Sequence, residues 1–264
     1  MSNQADQMIA ALRTGHDELA ALVGRMASDD LTQPSAAAEW DISQVLSHLG
    51  SGAEIGLATL EAALADTGNP GPDFNQSVWA RWNAIAPSER AEGFLYANEA
   101  LLKRYKSLDN TTKARLRIDL GFLPEPVDLA TEAALRLSEF TYHAWDIQVM
   151  SDPTAVLAPA AVTLLLDRLG MLIGFLGHSD ALDGKLMTLA VRTVEPDRSF
   201  GLDLRDAVAL VDTPQQPAGV LDAPAEAWLR LAAGRLAPQH TPPTLRLASD
   251  AVTLDELRRV FPGF

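Results

Sequence analysis

The sequence predicts an α+β protein of two domains: a four-helix bundle over residues 1–152, then a small α+β domain over residues 153–264. Up to Ser151-Asp-Pro153, apolar residues recur at helical spacing in four long segments, the pattern of a bundle. Beyond it, one apolar helix gives way to short apolar runs divided by turn residues, the pattern of a small mixed domain. Ser151-Asp-Pro153 punctuates the chain and is the boundary, and neither an internal repeat nor a low-complexity segment interrupts this order.

The first helix runs from about Ala5 to Met26, with Met8, Leu12, Leu19, Leu22 and Val23 on one face. A loop with Asp29, Asp30 and Pro34 follows. Trp40-Asp-Ile-Ser-Gln44 opens the second helix, with Asp41 as N-cap and Gln44 completing a capping box, and it ends near Asp66-Thr-Gly68. After the loop Asn69-Pro-Gly-Pro-Asp73, helical pieces are expected at about Asn75–Ile85 and Ser88–Leu108. Arg115–Leu120 reads as extended, and the fourth main helix spans about Asp128–Val149. In the second half, Pro159–Leu176 reads as one apolar helix. Strands are expected at Leu186–Val194, Phe200–Leu204, Ala207–Val211 and Ala218–Asp222, with turns at Asp183-Gly184 and Pro196-Asp197. Pro224 suits the first turn of a helix through Trp228, Leu229, Leu231 and Leu236, and Leu245–Leu247 and Thr253–Val260 read as a last strand and helix.

Bulk composition narrows the function. Hydrophobic residues make up 47% and charged residues 21% of 264, ordinary for a globular chain with a real core. The net charge is −14 and no Lys/Arg-rich run occurs, which argues against a nucleic-acid surface and against docking on anionic membranes. No apolar run reaches the ~20 residues that span a bilayer, and the N-terminus lacks a signal-peptide pattern, so a cytoplasmic location is expected. The chain has no cysteine, which excludes disulfides and a thiol nucleophile of its own. Any sulfur chemistry has to come from a bound small thiol.

Glu139 and His143 are four residues apart, one helical turn, and project from one helix face. Their neighbours Leu135, Phe140, Tyr142, Ala144 and Ile147 leave that helix largely apolar, where an ionised carboxylate needs a partner. A cation is the simplest partner. His48 lies on the second helix, with Gly52 one turn on leaving room beside the imidazole for a ligand or an approaching helix. Two imidazoles and a carboxylate are the ligand set of an open catalytic metal site. Oxygen and nitrogen ligation fits zinc, nickel, iron or manganese, with zinc the expected ion. Asp146 is placed either as acceptor for the second ring N–H of His143 or toward solvent.

His16, His178 and His240 are assigned to surface or packing roles. Trp40 reads as a hydrophobic staple or core anchor rather than a ligand-stacking residue, and Trp145 as bundle core or domain interface. Asn75, Trp79 and Arg81 read as core or capping residues ahead of a pocket rim. Arg230 and Arg235 are candidates for a carboxylate clamp, against the alternative of a solvated helix face.

Trp40-Asp-Ile-Ser-Gln-Val-Leu-Ser-His48-Leu together with Glu139-x-x-x-His143-Ala-Trp-Asp-Ile147 resembles the mycothiol-dependent maleylpyruvate isomerase family. The resemblance implies a DinB-like four-helix bundle. Ala223-Pro-Ala-Glu-Ala-Trp-Leu-Arg-Leu-Ala-Ala-Gly-Arg235 similarly implies a C-terminal domain related to sterol carrier protein folds. His48, Glu139 and His143 match that family's divalent-metal ligands, usually zinc, and its essential arginine matches Arg235 or, failing that, Arg230. The activity implied is isomerisation or transfer with mycothiol or another low-molecular-weight thiol. The thiol adds to an activated double bond, the resulting single bond rotates, and the thiol leaves. The partners implied are a small-molecule substrate and a small thiol. The rival readings are a metal-dependent hydrolase using an activated water and a non-catalytic small-molecule or metal-binding protein.

Overall fold

The computed structural model describes residues 4–263, which divide into two compact units between Ala155 and Val156. The chain is mixed helix and sheet, with a two-stranded and a five-stranded sheet among the described residues.

The first unit holds α1 (Gln4–Val23), α2 (Ile42–Ala65), α3 (Pro72–Ala84), α4 (Pro87–Ser107), α5 (Asn110–Arg115) and α6 (Leu129–Ser151), and a small ribbon of β1 (Arg117–Ile118) and β2 (Val127–Asp128). The four long helices pack along one another: α2 lies against α4 and α6, and α1 against α6 and α4. Their shared core contains Leu12, Leu19, Leu46, Leu49, Phe94, Leu101, Phe140 and Trp145, each at most 2% exposed. α6 is buried on nearly its whole circumference, so its polar residues are forced into the interior. α3 is docked on α2 by Trp82, whose ring occupies a slot between Gly50 and Gly93 and whose Nε1 donates to Glu54 Oε2 at 2.9 Å.

Arg115–Leu120 is not one extended stretch. Asp109 Oδ1 accepts from Thr112 N at 2.8 Å and caps the short helix α5, leaving only Arg117–Ile118 as strand.

The second unit holds α7 (Pro159–Leu166), α8 (Leu169–Leu176), β3 (Thr188–Val194), β4 (Arg198–Asp203), β5 (Ala209–Val211), β6 (Gly219–Pro224), α9 (Ala225–Ala232), β7 (Arg246–Ser249) and α10 (Leu254–Val260). The sheet order is β5-β4-β3-β6-β7, with β3 and β6 parallel and the other neighbours antiparallel. Val191 pairs with Phe200 on one side and Leu221 on the other, which puts the apolar strand residues at the sheet's centre. α9 packs on β3 and β6, and α7 and α8 pack on α9.

Two expectations are corrected here. Pro159–Leu176 is two helices bent by 80° at Asp167-Arg168, not one. The bend lets Leu165 and Leu166 on one side and Leu169 and Ile173 on the other all reach the interior, each at most 6% exposed. The helix through Trp228 stops at Ala232 instead of reaching Leu236, because Gly234 adopts φ +71 just beyond it, a left-handed residue that ends helices. Among the described residues no single helix is long and apolar enough to cross a membrane.

Candidate metal centre

His48 enters the site from α2, whose start is fixed locally. Asp41 Oδ1 accepts from Gln44 N at 2.7 Å, and Gln44 Oε1 accepts from Asp41 N at 2.9 Å, so the capping box sets the helix two turns ahead of the imidazole. Glu139 and His143 enter from the middle of α6, one turn apart.

The structure brings these three side chains together. One donor atom from each lies within 4.8 Å of the other two. His48 Nε2 is 3.1 Å from Glu139 Oε2, and His143 Nε2 is 3.8 Å from the same oxygen. The two imidazole rings meet edge-on, with centroids 4.7 Å apart. His143 is buried, while the side chains of His48 and Glu139 are 37% and 40% exposed, so the cluster is reachable from one side. Burial pushes the Glu139 carboxyl up, but the hydrogen bond from His48 and the charges of His143, His48 and Arg136 outweigh it and hold the group below the ordinary carboxylate range.

Asp146 is the acceptor for His143, not a solvated residue: its Oδ2 is 2.9 Å from Nδ1, and it is fully buried. That bond assigns the proton to Nδ1 and leaves Nε2 with a lone pair on the side of His48 and Glu139. Trp40 corrects another expectation. Its ring stacks on His143 at 5.7 Å and 28°, and lies 5.2 Å from His48, so it covers both imidazoles. Of the two occupants expected beside Gly52, the structure has the approaching helix: Arg136 of α6 fills the space, its Nη1 2.9 Å from where a Cβ would sit.

Behind the three donors, α6 carries a second buried polar group. Tyr105 Oη donates to Glu132, at 2.6 Å and 2.8 Å to its two oxygens, and Arg136 Nη2 donates to Leu49 O at 2.6 Å and Asn98 Oδ1 at 2.7 Å. Burial raises the Glu132 carboxyl to about 7, against the pull of the Tyr105 hydrogen bond and the Arg136 charge. Its ordinary value is 4.5, so folding takes up a proton between pH 4.5 and 7. Stability from this group is therefore full below pH 4.5 and lost as pH rises toward 7, by on the order of 3 kcal/mol. Glu132→Gln, which mimics the protonated form, is expected to match the wild type near pH 4.5 and gain on it as pH rises past 7. Urea unfolding at both ends of that range reads the difference; a constant offset between the two proteins would refute the assignment.

A family profile described as the mycothiol maleylpyruvate isomerase N-terminal domain matches residues 12–148, more than half of the chain. The chain belongs to this family. The stretch shared with the mycothiol maleylpyruvate isomerase family contains Trp40, His48, Glu139 and His143. Two crystal structures are similar across both units' lengths of sequence. One, of a mycothiol-dependent maleylpyruvate isomerase, has a TM-score of 0.66 at 13% identity and covers 96% of this chain and 98% of its own. The other, a histidine-to-alanine variant of such an isomerase, has a TM-score of 0.63 at 14% identity and covers 89% and 92%. At these identities the likeness is one of fold. No curated protein matches the sequence.

The remaining candidates fall as follows. Arg230 is 3% exposed on α9; its Nε and Nη2 donate to Glu226 at 2.7 Å and 2.9 Å and its Nη1 to His240 O at 2.9 Å. Arg235 is 8% exposed, with Nη1 donating to Ala233 O at 3.0 Å. Neither lies on a solvated helix face. His16 is a packing residue against Phe94 and Phe140, and burial lowers its pKa. Trp145 belongs to the core of the first unit, where Nε1 donates to Ala155 O at 2.8 Å. Trp79 is 47% exposed and Arg81 is paired with Glu54 at the surface, so neither is a core residue. Sequence reasoning missed Arg136 and the role of Trp40. A cation and two acids on one largely apolar helix, Glu132, Arg136 and Glu139, was the available signal for Arg136.

Proposed function

We propose that this chain is a metal-dependent enzyme of the maleylpyruvate isomerase type, using mycothiol or a similar small thiol to isomerise an unsaturated substrate or to transfer the thiol to it. The observation that carries this reading is the convergence of His48, Glu139 and His143 from two helices on one half-open point. The donor set fits a divalent ion, zinc first: two imidazole nitrogens and one carboxylate oxygen, with a buried carboxylate behind one imidazole. His48 Nε2, His143 Nε2 and a Glu139 oxygen would hold the ion. When bound, it supplies Lewis-acid polarisation and lowers the pKa of a thiol or water beside it.

The chain's own residues do the rest. Asp146 fixes the tautomer and ring direction of His143. Trp40 shields the imidazoles from water on its side, leaving the approach over His48 and Glu139 for thiol and substrate. The absence of cysteine is consistent with a borrowed nucleophile. For anion binding in the second unit we assign Arg235 or, failing that, Arg230, the positions that match the family's essential arginine. The architecture we attach to this reading is a DinB-like four-helix bundle over residues 1–152, built on α1, α2, α4 and α6, and a domain over residues 153–264 related to sterol carrier proteins. The setting is the cytoplasm, where small thiols stay reduced.

The test is turnover of an activated cis-alkene diacid with zinc-loaded and chelated protein, each with and without added thiol. Turnover that needs both is expected. Thiol-independent release of a hydrolysis product would replace this reading with an activated-water hydrolase. Arg235→Ala is expected to weaken binding of a small organic carboxylate at least ~10-fold, the scale of one lost charged contact. An unchanged affinity would remove Arg235 from anion binding.

A further inference from the structure

We infer that Arg136 is a positioning residue of the candidate metal centre, the brace that sets the gap between His48 on α2 and the Glu139/His143 pair on α6. The inference rests on the metal reading above. Arg136 is 9% exposed and sits one turn before Glu139 on the same helix. Its Nη2 holds Leu49 O at 2.6 Å, the carbonyl of the residue next to His48, and Asn98 Oδ1 at 2.7 Å. Asn98 on α4 is itself tied to Phe94 O at 3.0 Å and Leu49 O at 3.4 Å. One guanidinium thus joins α6 to α2 beside one ligand and to α4 behind it. Gly52 is what lets it in, since a Cβ there would stand 2.9 Å from Nη1.

A buried cation so close to a cation site repels the ion, whereas the brace it forms to Leu49 O and Asn98 Oδ1 favours binding by holding the donors in place. The two effects have opposite signs, which makes the inference decidable. Arg136→Met removes brace and charge together. Gly52→Ala displaces the brace and keeps the charge.

The experiment is a Zn²⁺ titration of wild type, Arg136→Met, Gly52→Ala and a core control on α1, Leu12→Ala, by chelator competition, with circular dichroism and melting temperature alongside. Both test variants are expected to bind Zn²⁺ ~10–100-fold more weakly, the range for loss of a ligand-orienting partner, with wild-type helix content. In the metal-free proteins, the imidazole ¹⁵N resonances of His48 are expected to move in both test variants and stay in the control. Tighter binding by Arg136→Met would mean that repulsion dominates and would overturn the inference. So would unchanged affinity with a lowered melting temperature, which would leave Arg136 a packing residue. A wild type that binds no Zn²⁺ overturns the metal reading instead. Should Arg136→Met fail to fold, Gly52→Ala alone decides the question.

Discussion

His48→Ala, Glu139→Ala and His143→Ala are each expected to abolish retention of a divalent ion while leaving the helices formed. An open tetrahedral site needs three protein donors, and two of these do not make one. The loss should exceed the ~10–100-fold that follows removal of an outer partner. The three variants should differ in stability. The side chains of His48 and Glu139 are 37% and 40% exposed, so truncating them opens no core cavity, and the Asp41–Gln44 box that starts α2 is untouched. His143 is 4% exposed and its removal strips a hydrogen-bond donor from the fully buried Asp146, at a cost of about 1–3 kcal/mol. Metal analysis of protein purified without chelators, with circular dichroism, reads both quantities. Full occupancy surviving any two of the changes would show that the ion is held elsewhere.

Gly50→Ala should destabilise the first unit by about 3 kcal/mol, although glycine to alanine inside a helix ordinarily stabilises it by ~1 kcal/mol. The added Cβ would lie 2.2 Å from Cη2 and 2.4 Å from Cζ3 of Trp82. The ring has nowhere to retreat. Gly93 of α4 approaches the same Cη2 so closely that its own Cβ would stand 2.9 Å away, and Nε1 is held by Glu54. Either α3 moves off α2 or an indole that is 4% exposed loses its burial. Gly56→Ala on the same helix is the control, because its Cβ would meet Leu101 at an ordinary 3.5 Å. Denaturant unfolding should show opposite signs for the two, and Trp82→Leu should relieve most of the Gly50→Ala penalty in the double variant. A Gly50→Ala protein as stable as Gly56→Ala would refute the slot.

The parts legible in the sequence were those whose physics is local. Asp41 and Gln44 announce the start of α2 because a capping box is a three-residue relation, and Glu139 and His143 announce a shared face because four residues are one turn. The bend at Asp167-Arg168 was hidden because both flanking segments are apolar, and the only mark was a polar pair between them. Gly234 carried the signal for the end of α9, but the spacing to Leu236 outweighed it in the reading. The Trp82 slot, the Trp40 cover and the Arg136 brace join residues from different segments of the chain, and helical periodicity says nothing about which side chain meets which.

The long helices meet chiefly in two couples, α2 with α4 and α1 with α6, and the three donors straddle the seam between those couples. An ion held there would act as a detachable rivet across 91 positions of sequence. Ion present at a hundredfold excess over its dissociation constant would add ~2.7 kcal/mol to the native state. Metal supply would then govern how long the folded chain survives against proteolysis, as well as whether it turns over substrate.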